Sequence, residues 1–155
     1  MPLARLTGMP SAKKYRMIME TGLVILAIRL ALRMVDLPRL LRRLTCNPMA
    51  SRPNLRPMDV VVDYVDRWLA LFPYNPKGNY FPRALALYWF GRRAGLPVQF
   101  QCGVMKSHRH HEGHAWMMLN GRDFFEASQY WKSFTVTVTY PPSPAAFDTQ
   151  PPDSP

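Results

Sequence analysis

Tyr80-Phe81-Pro82-Arg83-Ala84-Leu85-Ala86-Leu87-Tyr88-Trp89-Phe90 is the stretch on which the fold turns. It is apolar on nearly every side, and a helix of that kind belongs at the centre of a domain, covered from both directions. Asn79 before it is a candidate N-cap. Pro82 is tolerated in a first turn, where backbone donors have no intrahelical acceptor. Gly95 closes the pattern, so a helix is expected over 80–94.

Upstream the chain reads as helices. Leu23, Leu26, Ala27, Leu30 and Met34 recur at three- and four-residue steps and form the apolar face of a helix over 17–36, with Arg29 and Arg33 beside them. Pro38 restarts the chain as a short helix through Leu40, Leu41 and Leu44. Residues 47–57 hold three prolines and no period, which makes them a loop. Val61, Val65, Trp68 and Phe72 then mark a third helix over 58–72, stopped by Pro73. Downstream the period changes to two. Val98, Phe100, Cys102 and Val104 form one strand, 106–113 a polar loop, and 114–119 and 122–127 a hairpin about Asn120-Gly121. Residues 135–140 supply a fourth strand. The expected architecture is α+β: N-terminal helices, one buried central helix and an antiparallel sheet over 17–140. Residues 1–16 form an N-terminal tail and 141–155 a proline-rich one.

Composition narrows the class. The chain has 155 residues, 48% of them apolar, enough for one core. Its formal net charge of +10 favours acidic partners, yet no block of like charge and no aromatic-plus-basic reader motif accompanies it, so nucleic acid is not the expected partner. Two cysteines, Cys46 and Cys102, make neither a disulfide framework nor a cysteine-based zinc site. That usage fits a reducing, cytoplasmic setting. Arg29 and Arg33 interrupt the one long apolar run, so no membrane span is expected.

The chemistry concentrates at three positions. Cysteine peptidases put their nucleophile at the start of a buried helix, where the dipole favours a thiolate, and take a base from a facing strand. Here those places fall to Tyr80 and His114, with Glu126 on the next strand as the carboxylate that would orient the histidine. Register decides whether the last two can meet. A two-residue turn pairs Leu119 with Arg122 and sends Glu126 to the opposite face. A three-residue bulged loop pairs Met118 with Arg122 and sets His114 opposite Glu126. A dyad therefore calls for the bulged loop.

Read together, Tyr80-Phe81-Pro82-Arg83-Ala84-Leu85-Ala86-Leu87, Gly95-Leu96-Pro97-Val98, Gly103-Val104, His114-Ala115-Trp116 and Asn120-Gly121 resemble the transglutaminase-like, papain-like domain of lasso-peptide leader peptidases of the microcin-processing type. The likeness is detailed over 79–130. It implies a Cys-His-Asp triad that removes the leader from a precursor peptide, working with a separate leader-binding protein and a cyclase. His114 then matches the base, and Glu126 matches the acidic orienter. Arg83 and Trp116 match motif positions beside the substrate. Tyr80 stands where the family has its cysteine, and a phenol, ionising at about pH 10, is a poor acyl-transfer nucleophile. A processing enzyme and a non-catalytic peptide-binding or scaffold relative both remain open. Cys102, on the neighbouring strand, is the nearest other thiol. His108, His110, His111 and His114 sit at loop spacings, one residue short of a zincin motif, and no metal or cofactor is expected from them.

Overall fold

In the computed structural model, which describes residues 11–45, 58–72, 78–106, 111–126 and 128–142, the opening stretch forms helix α4 (Tyr80–Arg93). Pro82, Ala84, Leu85, Ala86, Leu87, Tyr88, Phe90 and Gly91 are all buried in it. Such a helix needs two layers around it. One layer is α1 (Ser11–Met34), α2 (Leu37–Thr45) and α3 (Met58–Leu71); the other is a four-stranded antiparallel sheet. The strands are β1 (Val98–Lys106), β2 (His111–Leu119), β3 (Arg122–Asp123) and β4 (Thr135–Tyr140), in the order β3-β2-β1-β4. The expected α+β architecture is the observed one.

Helix α1 departs from expectation twice. It begins at Ser11, so 11–16 are helical and not tail. Its core face is also the other one. Met17, Thr21, Ile25 and Ile28 are buried, whereas Leu23, Leu26, Ala27, Leu30 and Met34 point outward. The helix is apolar on both sides, so periodicity alone could not choose. Trp68 made the choice: its ring packs so closely on Gly22 that a Cβ there would lie 2.7 Å away, and its Nε1–H donates to the Ile18 carbonyl at 2.9 Å.

Two strands run further than expected, while the one expected over 122–127 stops at Asp123. β1 continues to Lys106 and β2 starts at His111, which leaves only 107–110 between them, outside the described residues. The same is true of the expected loop 47–57, of 73–77 and of the C-terminal tail from 143. Between β2 and β3 the turn is the plain two-residue kind. Leu119 pairs with Arg122 and Met118 with Asp123, while Asn120 (φ 52) and Gly121 (φ 76) supply the two positive φ angles such a turn requires. The bulged loop is not formed.

Gly103 pairs with His114 across β1 and β2. A Cβ at Gly103 would meet the Thr135 carbonyl oxygen at 2.5 Å and the Trp116 ring at 3.1 Å, so only glycine fits behind the histidine.

Candidate active site

Tyr80 opens α4, and Arg83 N–H makes the first intrahelical bond, to the Asn79 carbonyl at 3.0 Å. A helix start leaves its first amides without internal acceptors. Asn79, expected to cap them, does not. Its Nδ2 donates to the Leu69 carbonyl, and its Oδ1 accepts from Arg29 Nη1 at 3.2 Å. The positive end of the helix dipole therefore faces the site without a side-chain cap. The Tyr80 side chain, 44% exposed, folds back over Gly78, where an added Cβ would lie 2.6 Å from its ring.

The ring of Tyr80 meets His114 edge-on, with centroids 4.5 Å apart and planes at 73°. His114, midway along the inner strand β2, is buried, as polar side chains seldom are. Trp116 stacks on it at 5.8 Å, and Phe134 closes the third side at 5.3 Å. Trp116 is fully buried, and its Nε1–H donates to Gln101 Oε1 at 3.0 Å. Trp116 thus packs against the imidazole within the fold.

Glu126 does reach His114, though the register argument forbade it. The carboxylate Oε2 lies 3.7 Å from His114 Nε2, beyond hydrogen-bond length but within ion-pair reach once the imidazole is protonated. The strict alternation of strand side chains holds only while the ladder lasts, and β3 ends at Asp123. Phe124 N–H still bonds the Met117 carbonyl at 2.9 Å; then Phe125 takes a left-handed φ of 58° and turns Glu126 back onto the His114 side. Nothing in the sequence marks Phe125 for that conformation.

Arg83 was matched to a substrate position, but its guanidinium is engaged within the protein. Nε and Nη2 donate to the Asp66 carboxylate at 2.7 and 3.3 Å, Nη1 to Glu126 Oε1 at 3.4 Å, and Nη2 to the Phe125 carbonyl at 3.1 Å. One side chain therefore ties α3, α4 and the left-handed turn to the carboxylate behind the histidine. Asp66, on α3, carried no signal in the sequence for this part. The Nε2 side of the imidazole faces Glu126. Together the chain brings Tyr80, Arg83, His114, Trp116 and Glu126 to one place.

Cys102 lies elsewhere. Its side chain is in the main core, bonded to Thr137 Oγ1 at 3.9 Å, and burial pushes its thiol up, which keeps it protonated and unreactive. Cys46 is outside the described residues. Of the histidine run, His108 and His110 are also outside them, and Glu112 accepts from the Tyr130 hydroxyl at 3.1 Å. Among the described residues, no three His, Cys, Asp or Glu side chains converge as ligands. No helix among the described residues is long and apolar enough to cross a membrane. Beside Tyr80 opens a hollow of about 400 Å³, lined by Asp66, Leu69, Ala70, Gly78, Asn79 and Arg83.

Compared with known families, residues 22–139 match the profile of the transglutaminase-like superfamily. No curated protein and no solved structure matches the chain.

Proposed function

Because the chain belongs to the transglutaminase-like superfamily, we propose that it serves leader-peptide processing in lasso-peptide maturation as a peptide-binding relative, one that keeps the base and its orienter but not the nucleophile. The observation that carries this reading is the Tyr80 ring packed edge-on against His114 at the start of α4. A thiolate there would sit at the positive end of the helix, one proton transfer from the imidazole. A phenol in its place is bulkier, is a poorer acyl-transfer nucleophile and packs against the His114 ring. The hollow between α3 and α4 beside Tyr80 offers apolar wall from Leu69 and Ala70 and polar groups from Asn79 and Asp66, which suits an extended peptide. The expected partners are the precursor peptide, a leader-binding protein and a cyclase, as the likeness to leader peptidases implies. Cys102 offers no second route to hydrolysis, because its thiol is buried and held protonated.

The test is a paired binding and cleavage assay with a lasso precursor peptide and its leader-binding partner. The wild-type chain binds the precursor and leaves the leader attached. Tyr80→Cys releases the leader, and adding His114→Ala abolishes that gain. Cleavage by the wild-type chain, or no precursor binding by either form, overturns the proposal.

A further inference from the structure

Helix α1 has two apolar faces, and among the described residues the fold covers one. The other carries Tyr15, Met19, Leu23, Leu26, Leu30 and Met34 at steps of three and four residues, with Leu23 62% and Met34 83% exposed. At 1.5 Å per residue the stripe runs for about 28 Å. Monomers seldom leave so long an apolar patch uncovered. The six side chains expose on the order of 700 Å², close to the roughly 800 Å² that each partner contributes to a standard protein interface. Leu26 and Leu30 also form, with Arg29, Arg33 and Phe72, a mostly apolar hollow of about 240 Å³ at the stripe's C-terminal half. Arg29 is held in place there, 4.6 Å over the Phe72 ring and bonded to Asn79.

Charge selects the occupant. Through α1 and α2, Lys13, Lys14, Arg16, Arg29, Arg33, Arg39, Arg42 and Arg43 stand against Glu20 and Asp36, and Asp36 is paired with Arg39. A second copy of the chain on this face would bring arginines against arginines. We propose that the outward stripe of α1 docks an amphipathic helix of a partner protein, one whose apolar side is flanked by Asp and Glu. Leu and Met ridges flanked by arginine are the chemistry of helix recognition, and complementary charge sets both register and rate. The proposal is independent of what happens at His114.

The test uses the full chain and two synthetic amphipathic peptides as long as α1, identical in their Leu positions but flanked by Glu in one and by Lys in the other. Fluorescence anisotropy should show binding of the Glu-flanked peptide, weakened by salt, and none of the Lys-flanked one. The double substitution Leu23→Glu/Leu26→Glu should weaken binding by at least about tenfold, since it puts charge into a desolvated ridge. Leu30→Gln, a milder change, should give a smaller loss, and Val136→Glu, on the exposed face of β4, none. Far-UV circular dichroism checks that each variant keeps its helices. Equal binding of both peptides, or binding unmoved by the stripe variants, overturns the proposal. So does dimerisation in sedimentation velocity that Leu23→Glu/Leu26→Glu abolishes. Capture by phosphatidylglycerol vesicles without peptide binding would assign the face to anionic lipid instead and overturn it equally.

Discussion

Arg83 holds both the Glu126 carboxylate and the carbonyl of the residue that turns it, so the orienting role proposed for Glu126 depends on Arg83. We expect Arg83→Ala, in a Tyr80→Cys background, to lower the gained leader cleavage by about tenfold or more and to shift its pH profile, as loss of a positioned ion pair does. Arg83→Lys should recover little, since one ammonium cannot reproduce bonds to two carboxylates and a carbonyl. The stability cost should be small, about 1 kcal/mol, because Asp66 is half in solvent. Cys102 gives a different prediction. Burial raises its thiol pKa in the folded state, so the unfolded chain releases that proton first. Its contribution is therefore fully present below the ordinary thiol value of about 8.5 and is lost as pH rises past it. Urea melts between pH 7 and pH 10 should show an alkaline loss that Cys102→Ala reduces.

At the scale of elements, the hairpin explains what could be read ahead of the structure and what could not. Asn120-Gly121 announced its turn, because positive φ at two successive residues is what that dipeptide tolerates. His114 and Glu126 could be singled out as residues, but the route that brings them within 3.7 Å could not. Alternation forbade the contact for the register that exists, and one left-handed residue, Phe125, restored it. A bulky residue in that conformation is held there by its surroundings, here the Arg83 bond to its carbonyl and packing against the core. Phe125→Val, β-branched and smaller, should cost about 1–3 kcal/mol by thermal melting and displace Glu126, seen as loss of its contact with His114 in a crystal structure of the variant. Gly103→Ala should cost about 1–3 kcal/mol by thermal melting, since its methyl meets backbone on β4 and the ring behind His114. Helix α1 is the opposite case. Its spacing was correct and its direction was not, because a helix apolar on both faces gives periodicity nothing to point with.

For the whole molecule, the sequence carried the layer plan. An apolar helix with helices before it and period-two segments after it leaves one arrangement, α4 between helices and sheet. What it did not carry were long-range choices, such as Asp66 meeting Arg83 and Trp68 meeting Gly22, which arise only once layers stack. The account proposed above is of a transglutaminase-like domain in which Tyr80, His114, Glu126 and Arg83 lie together and Tyr80 stands at the position proposed for a nucleophile. Its central claim is best tested by the ionisation of a thiol placed at position 80. In Tyr80→Cys, with Cys46→Ser and Cys102→Ala removing other thiols, the rate of iodoacetamide alkylation against pH should be centred at least about one unit below the ordinary thiol value of about 8.5, and His114→Ala should return it toward that value. A thiol that titrates at the ordinary value and does not respond to His114→Ala would contradict the account.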